Sequence, residues 1–144
     1  MSLAENKLVV RRFIEEVVNT GNVDRLSDFI SPLYIESQDK TGQSNGLEAA
    51  KAHISGVRRT YPDLRLTVEQ RIAEGDWVAT RITARGTHLG RWMGIEPTGK
   101  AIEITGVNLD RVVDGRIVEH GGAANMLEGM LGIGAVRVVG ARDT

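Results

Sequence analysis

The chain has 144 residues, 18 of them basic and 19 acidic, with a formal net charge of −1 and no cysteine. Near-neutrality without a basic block excludes the electrostatic footprint of a nucleic-acid binder, and no apolar run approaches a membrane span. The lack of Cys excludes disulfides, thiolate nucleophiles and Cys-based zinc sites. Hydrophobic residues make up 41% of the chain, an ordinary globular value, and one domain of this size buries about 70% of its unfolded surface. No charged-then-apolar leader opens the sequence, so a cytoplasmic location is expected.

Val10, Phe13, Ile14, Val17 and Val18 recur at helical spacing and predict a first helix, closed by Asn19-Thr20-Gly21. Asn22 can cap a short second helix carrying Val23, Leu26, Phe29 and Ile30, stopped at Ser31-Pro32. Leu33, Tyr34 and Ile35 read as a brief strand, and residues 37–45 as a polar loop. Asn45 and Glu48 have the spacing of a capping box for a third helix with Leu47, Ala50, Ile54 and Val57 inward, ended at Tyr61-Pro62. From Leu64 the period changes to two. Gly75-Asp76 predicts a turn into a strand over Trp77–Thr87. Residues 89–99 read as a long Gly- and Pro-containing loop, and residues 100–113 alternate again. Asp114-Gly115 is a strong hairpin signal, leading to a strand over Arg116–Ala124. Helices gathered before a meander predict an α+β fold with helices on one face of the sheet.

Five segments then carry a resemblance: Tyr61-Pro62-Asp63, Glu74-Gly75-Asp76, Gly86-Thr87-His88-Leu89-Gly90, Ile95-Glu96-Pro97-Thr98-Gly99, and Asp114 through His120. In this order and spacing the chain resembles the SnoaL-like polyketide cyclases, within the superfamily that has the fold of nuclear transport factor two. The resemblance runs from about Asn6 to Gly132. It implies a domain over 1–132 with a tail over 133–144, and a cone in which three helices close a curved, mixed, mostly antiparallel sheet around a central pocket. It implies aldol-type ring closure on a hydrophobic, polyketide-like carbonyl compound, with no metal and no organic cofactor. A homodimer through the outer sheet face is also implied, and Val107 and Leu109 have the parity for it. Other outcomes remain open on one fold: a non-catalytic binder of a small hydrophobic molecule, a hydroxylase, or an epoxide hydrolase.

The resemblance places a catalytic Asp where this chain has Asn125, and a Trp where it has Gly121. An amide takes up no proton at neutral pH, although it can hold a developing oxyanion. With a two-residue turn at Asp114-Gly115, Asp110 is expected opposite Glu119 and Asn108 opposite Gly121, so that Asn108, Asp110, Ile117, Glu119 and Gly121 share one face. Two facing carboxylates raise the pKa of one. Arg81 or Arg85 is the candidate partner of such a pair in the epoxide hydrolase reading. His120 is expected on the opposite face. His53 is a candidate pocket base. His88, Trp92 and Met93, in or beside the 89–99 loop, are candidates for ligand contact, and His88 also reads as a strand-end residue that fixes the loop. No two His lie close in sequence, so no metal site is expected.

Overall fold

In the computed structural model, which describes residues 1–37, 41 and 45–140, the first helix, α1 (Leu3–Phe13), starts from a reciprocal cap. The Ser2 hydroxyl accepts from the Glu5 N–H, and the Glu5 carboxylate accepts from the Ser2 N–H. The expected stripe faces inward, with Val10, Ile14 and Val17 all buried. The helix ends in a π turn (Ile14–Val18), in which the Asn19 N–H reaches Ile14 O at 2.9 Å. There the Asn19 side chain acts like a strand: it donates to Leu66 O at 3.0 Å and accepts from Leu66 N–H at 2.8 Å. An exposed strand edge is thereby pinned to the helix.

The second helical stretch is a 3₁₀ turn (Val23–Asp28), because Phe29 and Ile30 are already drawn into the sheet. Strand β1 (Ile30–Glu36) is longer than expected. Pro32 does not break it, since β1 is an edge strand and an edge tolerates a missing donor. Helix α2 (Gly46–Thr60) buries Ala50 and Ile54 as expected. The Asn45 side chain makes no capping bond; its backbone instead bridges Ile35 of β1. The polar loop expected over 37–45 lies mostly outside the described residues.

The sheet continues as β2 (Arg65–Glu74), β3 (Trp77–Thr87), β4 (Ala101–Val113) and β5 (Arg116–Ala124). Its order is β1-β5-β4-β3-β2. Only β1 and β5 run parallel, so the sheet is mixed and mostly antiparallel. Both expected tight turns form, Glu74 pairing with Trp77 and Val113 with Arg116. Asp114 and Gly115 have φ of 50 and 78, as the mirror-image hairpin turn requires. One core cluster joins Val10, Ile14 and Ile54 to Val78, Ile82, Val112 and Ile117 on the concave face. A second, at the other end of the strands, joins Tyr61, Leu64, Ile102, Ile104 and Ile133. A short helix, α3 (Met126–Gly132), follows β5, and Ile133, the first residue of the expected tail, is seated in that second cluster. Among the described residues, no helix is long and apolar enough to cross a membrane.

Candidate active site

Alternation along β4 turns Ile102, Ile104, Asn108, Asp110 and Val112 to the concave face. Its partner β5 departs from a regular hairpin. Ile117 pairs with Val112 and Glu119 with Arg111, which leaves Val118 as an extra residue. Such a bulge reverses which side chains of the strand face the core. The residue opposite Asp110 is therefore His120, and Asn108 is opposite Gly122. The expected pairs Asp110–Glu119 and Asn108–Gly121 do not form, and Glu119 and Gly121 lie on the other face of β5. His120, expected to face away, points inward instead.

The consequence is a short contact: His120 Nδ1 lies 2.6 Å from Asp110 Oδ1. The Asp110 side chain is 4% exposed and that of His120 30%. On the other side of His120, β1 places Glu36 as its register partner. Tyr34, on the same face of β1, donates its hydroxyl to Glu36 Oε2 at 3.2 Å. His53 reaches this group from α2. Its surface is exposed, yet enough protein surrounds the ring for its charge to feel both His120 and Glu36.

The electrostatics follow from this crowding. Burial works against a charge on His120. The hydrogen bond to Asp110 and the negative charges of Asp110 and Glu36 outweigh it, so the His120 pKa is raised. His53 moves the other way: partial desolvation, then the nearby His120, hold its pKa below the usual imidazole value, against a smaller pull from Glu36. Burial raises the Tyr34 pKa, helped by Glu36 and Asp110, so its phenol remains a proton-bearing donor. Nδ1 of His120 is committed to Asp110. Nε2 is the nitrogen left for a substrate, as base when neutral and as acid when charged. Among the described residues, no group of three or more His, Asp or Glu has the arrangement of a metal site.

Asn108 thus shares the face of Asp110, His53 lies near His120 and Glu36, and three residues that were not candidates on sequence, His120, Glu36 and Tyr34, gather beside Asp110. The other candidates lie elsewhere. Ile117 is fully buried in the core. His88 is also fully buried and holds the 89–99 loop: its Nδ1 contacts the Thr98 hydroxyl at 3.0 Å and the Thr98 N–H at 3.3 Å. Trp92 closes a tight turn with Ile95 and packs against the second cluster. Met93 is 77% exposed. Asn125 is an exposed residue just after β5, its N–H bonded to Thr105 O at 2.8 Å. It lies about 16 Å along the strand from His120 at the usual rise per residue. Arg85 is on the outer face, paired with Glu103 at 2.9 Å, and Arg81 shares that parity. A groove of ≈ 410 Å³ opens on the surface between Asp63, Arg65, Arg85 and Glu103. Neither His120 nor Asp110, Glu36 or Tyr34 lines it.

A profile of SnoaL-like polyketide cyclases matches residues 8–131. The aklanonic acid methyl ester cyclase of Streptomyces galilaeus is 32% identical over 120 residues, covering 82% of this chain and 83% of that protein. The nogalonic acid methyl ester cyclase of Streptomyces nogalater is 34% identical over 104 residues, covering 71% and 78%. Among solved structures, TsrD from Streptomyces laurentii superposes with a TM-score of 0.85 at 24% identity, covering 94% of this chain and 99% of that one.

Proposed function

Because the chain belongs to the SnoaL-like polyketide cyclase family, we propose that it closes a ring in a polyketide methyl ester by intramolecular aldol addition, with the Asp110–His120 pair moving the proton. The observation that carries this reading is the 2.6 Å contact between His120 Nδ1 and a buried Asp110 carboxylate. Such a contact orients an imidazole and stabilises its charged form. In the proposed reaction, neutral His120 Nε2 takes a proton from a carbon flanked by two carbonyls. The enolate carbon attacks a ketone carbon within the same molecule, forming the new C–C bond. The resulting alkoxide takes the proton back from His120. Atoms and electrons balance without an oxidant, a reductant or a second substrate. Asn108 lies two residues from Asp110 on the same face and supplies an amide donor for the developing oxyanion. Asn125, which cannot exchange a proton, has no part in the transfer.

The test is ring closure of aklanonic acid methyl ester or nogalonic acid methyl ester, the substrates named for the relatives, followed by product chromatography. Turnover well above buffer is expected. Tight binding without product would favour the binding-module reading instead.

The outer sheet face supports a homodimer in this proposal. Ile72, Ala79, Leu109 and Gly121 are register partners in one row. Ile72, Val107 and Leu109 are 62%, 47% and 44% exposed, an apolar surface that association would cover. Light scattering is expected to give twice the chain mass, falling to one chain mass on Leu109→Arg. A monomer in the natural protein would refute this part.

A further inference from the structure

We propose that Glu36, braced by the Tyr34 hydroxyl, is a positioning residue for His120: a second carboxylate, on the strand opposite Asp110, that sets the pH at which the imidazole changes charge. The proposal deepens the assignment of Asp110–His120 as the acid–base pair and rests on that reading. Glu36 of β1, His120 of β5 and Asp110 of β4 are consecutive register partners. Adjacent strands lie roughly 4.8 Å apart, so one imidazole sits between two carboxylates. The parity of β1 agrees: Tyr34 is buried and Ile35 exposed, which turns Tyr34 and Glu36 to the same side as the pair.

Tyr34 gives Glu36 a fixed place. Its buried phenol has one proton to donate, and Glu36 Oε2 takes it at 3.2 Å. A buried hydroxyl left without that partner would be costly, so the contact holds both side chains. Among the described residues, the titratable groups placed near His120 come from three elements. Asp110 faces it from β4, Glu36 and Tyr34 from β1, and His53 from α2. Beyond Asp110, β3 presents only Val78. Both carboxylates favour the imidazolium, and His53 opposes it whenever it is charged. The raised His120 pKa has Glu36 among its causes, after the Asp110 hydrogen bond and charge. With Glu36 in place, His120 is the better base, and it reaches its neutral form only at higher pH.

The experiment is an NMR titration of the His120 ring, labelled at Cε1 and assigned with His120→Gln, in the natural chain, Glu36→Gln and Tyr34→Phe. Glu36→Gln is expected to lower the His120 midpoint by about half a unit to one unit, as loss of a nearby opposite charge does. Tyr34→Phe should lower it by less, since the carboxylate stays but loses its brace. The acid limb of the ring-closure rate should move with the NMR midpoint in each variant. A Glu36→Gln midpoint within about 0.2 unit of the natural value, well below the usual effect of a nearby charge, overturns the proposal even if turnover is intact. A shifted midpoint in a chain that never turns over supports the role of Glu36 and refutes the cyclase reading.

Discussion

Asp110→Asn is expected to lower kcat for ring closure by about 10²–10⁴-fold, the range for losing an oriented general base, while KM changes little. The carboxylate accepts from His120 Nδ1, which leaves the lone pair on Nε2. An amide in the same place can turn its NH₂ toward Nδ1. That favours the tautomer with the proton on Nε2, which is no base. The charge that stabilises the imidazolium is lost as well. Stability should carry the same signature. The His120 pKa is raised on folding, so its contribution is full below the unfolded value of about 6.5. It is lost as the pH rises through the folded value. The natural chain should therefore exceed Asp110→Asn in urea midpoint at pH 5.5 by more than at pH 8.5. A gap that is constant or widens with pH contradicts the pairing.

Gly122→Ala is expected to cost about 2–5 kcal/mol, combining backbone strain and forced overlap. Gly122 has φ of 149, a conformation that side chains with a Cβ rarely adopt. A Cβ built there would lie 2.4 Å from Val107 O and 3.0 Å from Asn108 Cα. Both obstacles are backbone, so no rotamer change relieves them. The strand would have to separate from β4 beside the residues that carry the site, and activity should fall with stability. Urea unfolding reads the loss as a lower midpoint at unchanged slope. Gly132→Ala is the control: a Cβ there meets nothing within 4 Å, and its midpoint should stay near the natural value. Equal behaviour of the two variants would remove the argument.

Most of the framework is legible in the residues because it rests on local rules. The Val10–Val18 stripe, the change to period two at Leu64, and the turns at Gly75-Asp76 and Asp114-Gly115 each act over a few residues, and each forms. The misses are long-range. Nothing in the sequence of β1 says that it will run parallel beside β5, so Glu36 and Tyr34 cannot be placed next to His120. The bulge at Val118 is likewise set by how β5 fits between β1 and β4. One extra residue reverses the parity of everything from Glu119 onward, which exchanges the expected Asp110–Glu119 pair for Asp110–His120. The neighbouring Gly121-Gly122 is a faint signal of irregularity, since glycines within a strand often mark bulges and close approaches. The candidates at His88, Trp92 and Met93 come from a loop whose role is architectural at His88, where two contacts to Thr98 fix the chain before it returns as β4.

In the proposed reaction His120, held by Asp110, moves the proton for ring closure. The rate of ring closure of a polyketide methyl ester, followed from pH 5 to 9 in the natural chain and in His120→Gln, reads this step. The rate should climb with pH through an apparent pKa above 6.5, as His120 becomes neutral, and collapse in the variant. A flat profile, or a rate that His120→Gln leaves unchanged, would contradict it.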